Sequence, residues 1–337
     1  MIDVVATRQL SRIKPSRSTL DEFVPDELRE LDDPQTAIPR IARTPALTRL
    51  VDAAVQQIPT KHVLNLGDAR KMTALKPESV HLVLTSPPYW TLKEYRDVKG
   101  QLGHVSDYDE FLNGLDQVWK QCFDALVPGG RLICVVGDVC LSRRKNNGRH
   151  TVVPLHAAIQ ERCRVIGFDN LSPIIWNKIA NAVYEVEGGG GFLGKPYEPN
   201  AVIKNDIEFI LMQRKSGGYR TPDLSARVLS VISEENHRQW FQQIWNGLTG
   251  ASTKRHPAPY PVELAERLVR MFSFVGDTVL DPFSGTGTTS VGAALWGRNS
   301  IGFEIDDTYL ALAASRFAKD TAGLFSQAQL IVNGSTR

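Results

Sequence analysis

The stretch TVLDPFSGTGTT, Thr278 to Thr289, reads as a short apolar strand, a turn with two glycines and the opening of a helix. Gly285 and Gly287 let the chain turn tightly against a ligand, and the helix start offers N–H groups that lack intrahelical partners. Such a strand, turn and helix form the nucleotide-facing corner of an open α/β sheet. The next strand ends in Gly302, Phe303 and Glu304, and Glu304 stands 23 residues beyond Asp281. That spacing brings a carboxylate on a neighbouring strand to ribose hydroxyls. A phosphate-binding loop of the ATPase kind needs a lysine where Thr288 and Thr289 stand, which argues against ATP. NAD and adenosyl ligands both stay open at this corner, although Asp281 beside the turn suits the ammonium of an amino acid, which NAD lacks.

A second corner lies far upstream. His81 to Leu84 is an apolar strand, followed by Thr85, Ser86, Pro87, Pro88, Tyr89 and Trp90. Two prolines bar the turn from the sheet ladder and stiffen it. A stiff turn can present the carbonyls of Ser86 and Pro87 as acceptors beside the flat ring of Tyr89, which suits a planar ligand carrying an NH₂ group.

The remaining pattern alternates. Val63 to Leu66 is a strand ended by Gly67 and Asp68, and Asp107 to Leu126 has helical spacing of Phe111, Leu115, Val118, Trp119 and Phe123. Pro128, Gly129 and Gly130 are expected to end that helix, with a strand at Arg131 to Val136 and a helix over Thr151 to Cys163. A strand centred on Ile174 to Trp176 precedes four glycines, Gly188 to Gly191, which read as a flexible loop. Ile207 to Gln213 restores a strand, and Lys215 to about Lys254 is irregular, anchored by Trp240, Phe241 and Trp245. Helices at Pro261 to Phe272, Thr288 to Leu295 and Thr308 to Lys319 alternate with strands at Thr278 to Leu280 and Ser300 to Phe303. The fold class is α/β, a doubly wound and mostly parallel sheet with a small irregular region. The expected divisions are an N-terminal extension over 1–55, half of the sheet domain over 56–179, the irregular region over 180–255, the other half over 256–323 and a frayed tail over 324–337.

Composition narrows the class. The 337 residues are 42% hydrophobic and 23% charged, with a net charge of +2, as in an ordinary soluble protein. No apolar run is long enough to span a membrane and no signal segment opens the chain, so a cytoplasmic location is expected. The cysteines Cys122, Cys134, Cys140 and Cys163 have neither disulfide density nor ligand spacing, and the histidines form no cluster, so no metal site is expected. Residues 141 to 220 hold 12 Lys or Arg against 7 Asp or Glu, and the run Arg143 to Arg149 resembles a loop that meets phosphates.

Together these motifs resemble the amino-methylating DNA methyltransferases that use S-adenosylmethionine, most closely those specific for cytosine N4. TSPPYW resembles their catalytic motif, DPFSGTGTT their methionine-binding motif and FEID, Phe303 to Asp306, their acidic strand end. LGD at Leu66, PGG at Pro128, IWNK at Ile175 and HPAPYP at His256 are similar to their other elements. The resemblance covers about residues 60 to 320, with the catalytic turn first, as in the circularly permuted β group.

The resemblance implies a fold of the S-adenosylmethionine-dependent methyltransferase type and no metal, with S-adenosylhomocysteine as product. It implies that Asp281, Phe283, Gly285 and Gly287 surround the methionyl group, that Glu304 binds the ribose and that Asp68 accepts from the adenine amino group. His256, Pro259 and Tyr260 complete the pocket, and Ser86, Pro87, Pro88 and Tyr89 hold the target base, flipped out of double-stranded DNA. Trp90 would assist at the rim. DNA recognition is expected within 180–255, with Lys178, Lys195, Arg220 and Arg238 as contacts. Functional pairing with a restriction endonuclease follows from the same likeness, and a monomer in a bacterial cytoplasm, on the nucleoid when bound to DNA, is the default expectation.

Methylation at cytosine C5 would need a nucleophilic thiol, displayed on a Pro-Cys turn in that family, and no such dipeptide occurs. Adenine N6 presents the same NH₂ chemistry and stays open, although serine before PPY resembles the cytosine group more than DPPY does. A non-enzymatic DNA-binding protein would leave both corners unused, and a nicotinamide oxidoreductase would leave SPPY unused.

Overall fold

The structure, a computed structural model, describes residues 19–31, 33–73, 75–92, 95–141, 143, 146–178, 205–251, 259–322 and 328–334. In chain order these form helices α1 (Pro34–Arg43) and α2 (Pro45–Val55), strands β1 (Lys61–Leu66) and β2 (Val80–Thr85), and helix α3 (Tyr108–Ala125). Strands β3 (Leu126–Val136), β4 (Val139–Leu141) and β5 (Thr151–Val153) follow, then α4 (Leu155–Ile166), β6 (Phe168–Asn177) and β7 (Ile207–Lys215). Helices α5 (Leu224–Leu229) and α6 (Glu234–Trp240) precede β8 (Ile244–Trp245) and α7 (Val262–Phe272). The chain closes with β9 (Thr278–Asp281), α8 (Thr288–Leu295), β10 (Asn299–Glu304), α9 (Asp307–Thr321) and β11 (Gln329–Asn333).

Period-two alternation in β3 sets the layers. Leu132, Cys134 and Val136 face α3 and α4, whereas Ile133 and Val135 face α7 with Leu82, Leu84 and Trp176. Both faces are apolar because helices cover both, as a parallel sheet requires. Trp119, Trp176 and Trp245 fill the two layers almost without solvent contact; cutting one to alanine would cost about 3–5 kcal/mol. Asp107 starts α3 by accepting from the Glu110 N–H at 2.8 Å.

The nine strands of the main sheet run β11-β1-β10-β9-β2-β3-β7-β6-β8. β7 is antiparallel to both of its neighbours and every other pairing is parallel. From β9 the chain winds outward through β10, and from β2 it winds the other way through β3. The crevice between β2 and β9 is therefore the switch point, where α/β sheets bind ligands. With the β2 corner earlier in the chain than the β9 corner, the permuted order expected from the sequence is present.

Several local expectations change. Pro128 to Gly130 lie inside β3, not beyond a helix: α3 ends at Ala125, and the ladder jumps from Val80↔Leu126 to Leu82↔Arg131, a bulge with Gly129 at φ 76°. Thr151 to Val153 is the second strand of a hairpin with β4, and the helix starts only after Pro154. Residues 329–333 are not frayed, because β11 pairs with β1 in parallel. The region after Lys215 holds two short helices, in which Trp240 and Trp245 are buried but Phe241 is 44% exposed and stacks on His237. Helices α1 and α2 pack against Val228, Leu229 and Val231, so the N-terminal extension braces this region. The glycines at 188–191 lie outside the described residues. Among the described residues no helix is long and apolar enough to cross a membrane.

Candidate active site at the carboxyl edge of the sheet

The two corners meet across the crevice. Thr85, the last residue of β2, donates from Oγ1 to Asp281 Oδ1 at 2.6 Å, and the Phe283 N–H donates to the same oxygen at 3.1 Å. Asp281 Oδ2 accepts from Thr289 Oγ1 at 2.5 Å and from the Tyr260 hydroxyl at 3.3 Å. Thr289 Oγ1 also reaches the Leu84 carbonyl at 3.3 Å, and the Tyr260 hydroxyl bonds Thr289. Asp281 is 2% exposed, and burial raises its carboxyl pKa against the lowering effect of these hydrogen bonds. Both oxygens are occupied, so Asp281 ties the cofactor corner to the catalytic corner from behind. Tyr260, expected in the pocket, is buried in the same tie; burial first, then the Asp281 charge, raises its hydroxyl pKa well above the ordinary value.

In front of this tie a cavity is lined by Asp68, Ser86, Pro88, Phe283, Gly285 and Glu304, with Tyr95, Leu102, Ile305 and Tyr309 among its other walls. The first six are all expected site residues, drawn from both corners and from the end of β1. Gly285 adopts φ 51° where its backbone borders the space. Gly287, at φ 76°, is instead a packing position: a Cβ there would lie 3.1 Å from Ala313 Cβ on α9. Pro259 is half-buried, and His256 lies outside the described residues.

The cavity combines apolar walls with two carboxylates. Glu304 accepts the Gly285 N–H at 2.8 Å and the Asp306 N–H at 3.0 Å. Burial pushes its carboxyl up to about 7, against those two backbone donors. Asp68 accepts from the Arg70 backbone N–H at 2.9 Å and from Arg70 Nη2 at 2.6 Å. Burial would raise its pKa, but the Arg70 hydrogen bonds hold it below the usual range. Arg70 also donates to the Gly100 carbonyl at 3.0 Å. A buried, acceptor-rich wall of this kind fits a ligand carrying hydroxyl and amino donors and a positive charge.

The segment after Trp90 closes the cavity's outer side. Arg96 pairs with Asp306 at 3.1 Å, and His104 Nε2 contacts the carbonyl of Tyr95 at 3.0 Å. Gly103 permits this fold-back, since a Cβ there would stand 2.3 Å from the Tyr95 ring. Tyr95, Leu102 and Tyr309 were not singled out from the sequence. Tyr309 had a usable signal, one turn into the helix after the acidic strand end, whereas Tyr95 and Leu102 depend on this loop.

In the SPPY turn, Ser86 Oγ donates to the Tyr89 hydroxyl at 3.3 Å. Pro87 and Pro88 are buried, and Tyr89 is 5% exposed, packed in the α3 layer. Burial, then the Glu208 charge, raises its hydroxyl pKa well above the ordinary value. Trp90 holds φ 46°, a strained value for a bulky residue, and its ring lies 4.9 Å from Tyr108. It packs on α3's first residue.

The expected DNA contacts are differently placed. Lys178 pairs with Glu208 at 2.6 Å at the same sheet edge. Arg220 pairs with Asp277 at the opposite edge of the sheet, away from the crevice. Arg238 is exposed beside Glu234 at 3.3 Å, and Lys195 lies outside the described residues. Arg143 and Arg149 lie between β4 and β5, in the hairpin that follows β3 on the side of the SPPY turn. Cys122, Cys134 and Cys163 are buried, and burial pushes their thiol pKa values up. Among the described residues no group of three or more His, Cys, Asp or Glu could hold a metal ion.

A family profile described as DNA methylase, of the N6/N4 methyltransferase type, matches residues 80–315. The chain is 38% identical over 276 residues to the Type II methyltransferase M.MjaI of Methanocaldococcus jannaschii, covering 74% of this chain and 88% of that protein. It is 33% identical over 279 residues to the Type II methyltransferase M.MthZI of Methanothermobacter thermautotrophicus, covering 76% of each. It is similar to TTHA0409 of Thermus thermophilus, crystallised with S-adenosyl-L-methionine, at 51% identity and a TM-score of 0.66 over 82% of this chain and 100% of that one. The cytosine-N4-specific PvuII DNA methyltransferase, 18% identical with a TM-score of 0.53 over 83% of this chain and 99% of that one, shares the fold. On the profile match and the two archaeal relatives, the chain belongs to the N6/N4 DNA methylase family.

Proposed function

We propose that the protein transfers a methyl group from S-adenosylmethionine to the exocyclic N4 of a cytosine flipped out of double-stranded DNA, without a covalent intermediate. The observation that carries this reading is a shared cavity: Ser86 and Pro88 line the same space as Asp68, Phe283, Gly285 and Glu304. When bound, the cofactor supplies a methyl on a sulfonium, and its carbon bonds N4 as the bond to sulfur breaks. Glu304 would hold the ribose hydroxyls, Asp68 the adenine amino group, and Phe283 with the Gly285 backbone the methionyl end.

At the acceptor, the hydroxyl proton of Ser86 is turned to Tyr89, which leaves the Ser86 lone pairs free to accept an N4–H. The Pro87 carbonyl accepts the other N4–H. Held by two acceptors, the amino group turns its developing lone pair toward the methyl, and orientation takes the place of covalent activation. Stacking of the base on Tyr89 requires that ring to be uncovered as the base enters. The proton released from N4 passes to water.

Labelled-methyl transfer to bacterial DNA free of modification, followed by nucleoside analysis, tests the reading, with N4-methylcytosine expected. N6-methyladenine as the sole product would overturn the base assignment. Ser86→Ala should cut turnover about 100-fold with cofactor affinity retained. The Type II names of M.MjaI and M.MthZI support a role beside a restriction endonuclease. A monomer in the cytoplasm completes the reading.

A further inference from the structure

A second charged group stands at the same sheet edge and takes no part in the steps above. The Lys178 ammonium, just beyond β6, donates to Glu208 Oε1 on β7 at 2.6 Å. The backbone fixes both partners: Trp176 and Glu208 are opposed in the ladder, and the Lys178 N–H donates to the Asp206 carbonyl at 2.9 Å. Gly137 follows β3, and a Cβ placed there would lie 3.5 Å from Glu208 Cγ and 3.7 Å from Tyr89 Cε2. Glu208 and Tyr89 therefore flank the same residue, which sets the Lys178–Glu208 pair beside the ring of the SPPY turn. The Lys178 and Glu208 side chains are only 26% and 11% exposed. Desolvating such a pair offsets most of its Coulomb attraction, so stability alone is a weak reason for it.

The ammonium has three protons, and the Glu208 contact takes one. A cytosine held through its amino group at Ser86 and Pro87 buries a ring acceptor beside that group, N3, which needs a donor once it leaves water. We propose that Lys178, oriented by Glu208, donates to this ring nitrogen and so fixes the rotation of the base about its amino group. The inference rests on the methyl-transfer reading above. Lys178 then touches substrate, and Glu208 is a positioning residue acting through it.

The test uses the full chain and a short duplex carrying the mapped methylation site. In a second duplex the target is 3-deazacytosine, which keeps the amino group and O2 but has C–H at N3. Wild-type turnover should fall about 10- to 100-fold on the analogue. The K178M/E208Q variant, which leaves no buried charge unpaired, should be slow on both duplexes, with less than about a twofold difference between them. K178R should restore part of the discrimination. Cofactor affinity and thermal midpoint should match wild type, which separates lost positioning from lost structure. An analogue penalty equal in the variant and in wild type overturns the proposal, as does no penalty in wild type. If mapping returns N6-methyladenine, the cytosine reading fails by itself, and 1-deazaadenine then tests the same contact with the same two outcomes.

Discussion

Asp277, immediately before β9, and Asp281, its last residue, are both buried and are held in opposite ways. Asp277 is gripped by the two terminal nitrogens of the Arg220 guanidinium and by the Phe274 N–H at 2.7 Å, with His81 at 3.9 Å. Asp281 is held among the described residues by two threonine hydroxyls, one tyrosine hydroxyl and a backbone N–H, with no cation in the set. At the amino edge a charge is cancelled and the strand is locked. At the carboxyl edge a charge is solvated by dipoles, which leaves its field available to a cationic ligand beyond the wall.

The largest expected effect comes from breaking the dipolar end. Asp281→Ala strips partners from three buried hydroxyl groups and should cost about 3–5 kcal/mol in urea unfolding, with methyl transfer lost. Asp277→Ala should cost about 2–4 kcal/mol yet leave turnover per folded molecule unchanged; a loss of turnover there would erase the division between the two edges.

Next comes the second dipole-held carboxylate. Glu304 is raised by burial from 4.5 to about 7, so between those values the folded chain binds more protons than the unfolded chain. Stability should therefore fall as pH rises through that window, by about 3 kcal/mol in all. Ribose hydroxyls bond better to the ionised form, so cofactor affinity should rise with pH up to about 7 and then level off. Glu304→Gln should flatten that titration by calorimetry, and a profile unchanged in the variant would remove Glu304 from the site.

Smaller effects follow. Gly287→Ala combines a positive φ with the Ala313 contact and should cost about 1–3 kcal/mol in thermal unfolding. Arg220→Ala should cost about 1 kcal/mol, since its guanidinium is a third exposed. It should not alter the salt dependence of DNA binding, whereas a reduced slope would place the amino edge on DNA.

Legibility followed the range of the interactions. Both corners, the permuted order and the helices from Pro261 onward were readable because local chemistry dictates them: prolines and glycines at strand ends, apolar spacing within helices. The Pro-Gly-Gly run misled, since a local stop signal served as a bulge whose pairing with β2 is a tertiary fact. β11 was hidden because its residues are mostly exposed and its partner β1 lies far back in the chain. The ion pairs of Lys178 and Arg220 join residues 30 and 57 positions apart, and nothing in the sequence marks a cation as already engaged. The turn at Asp281 was legible as a ligand corner, but its four partners were not, because Thr85 lies 196 residues away.

The reversal of β7 has a consequence for the chain that joins it to β6. The chain leaves the sheet at Lys178 and re-enters at Asp206, and one backbone hydrogen bond of 2.9 Å joins the two positions. Whatever length of chain lies between them is anchored at both ends to one point of the frame. A change in the length of that segment therefore need not disturb the register of the strands beneath it.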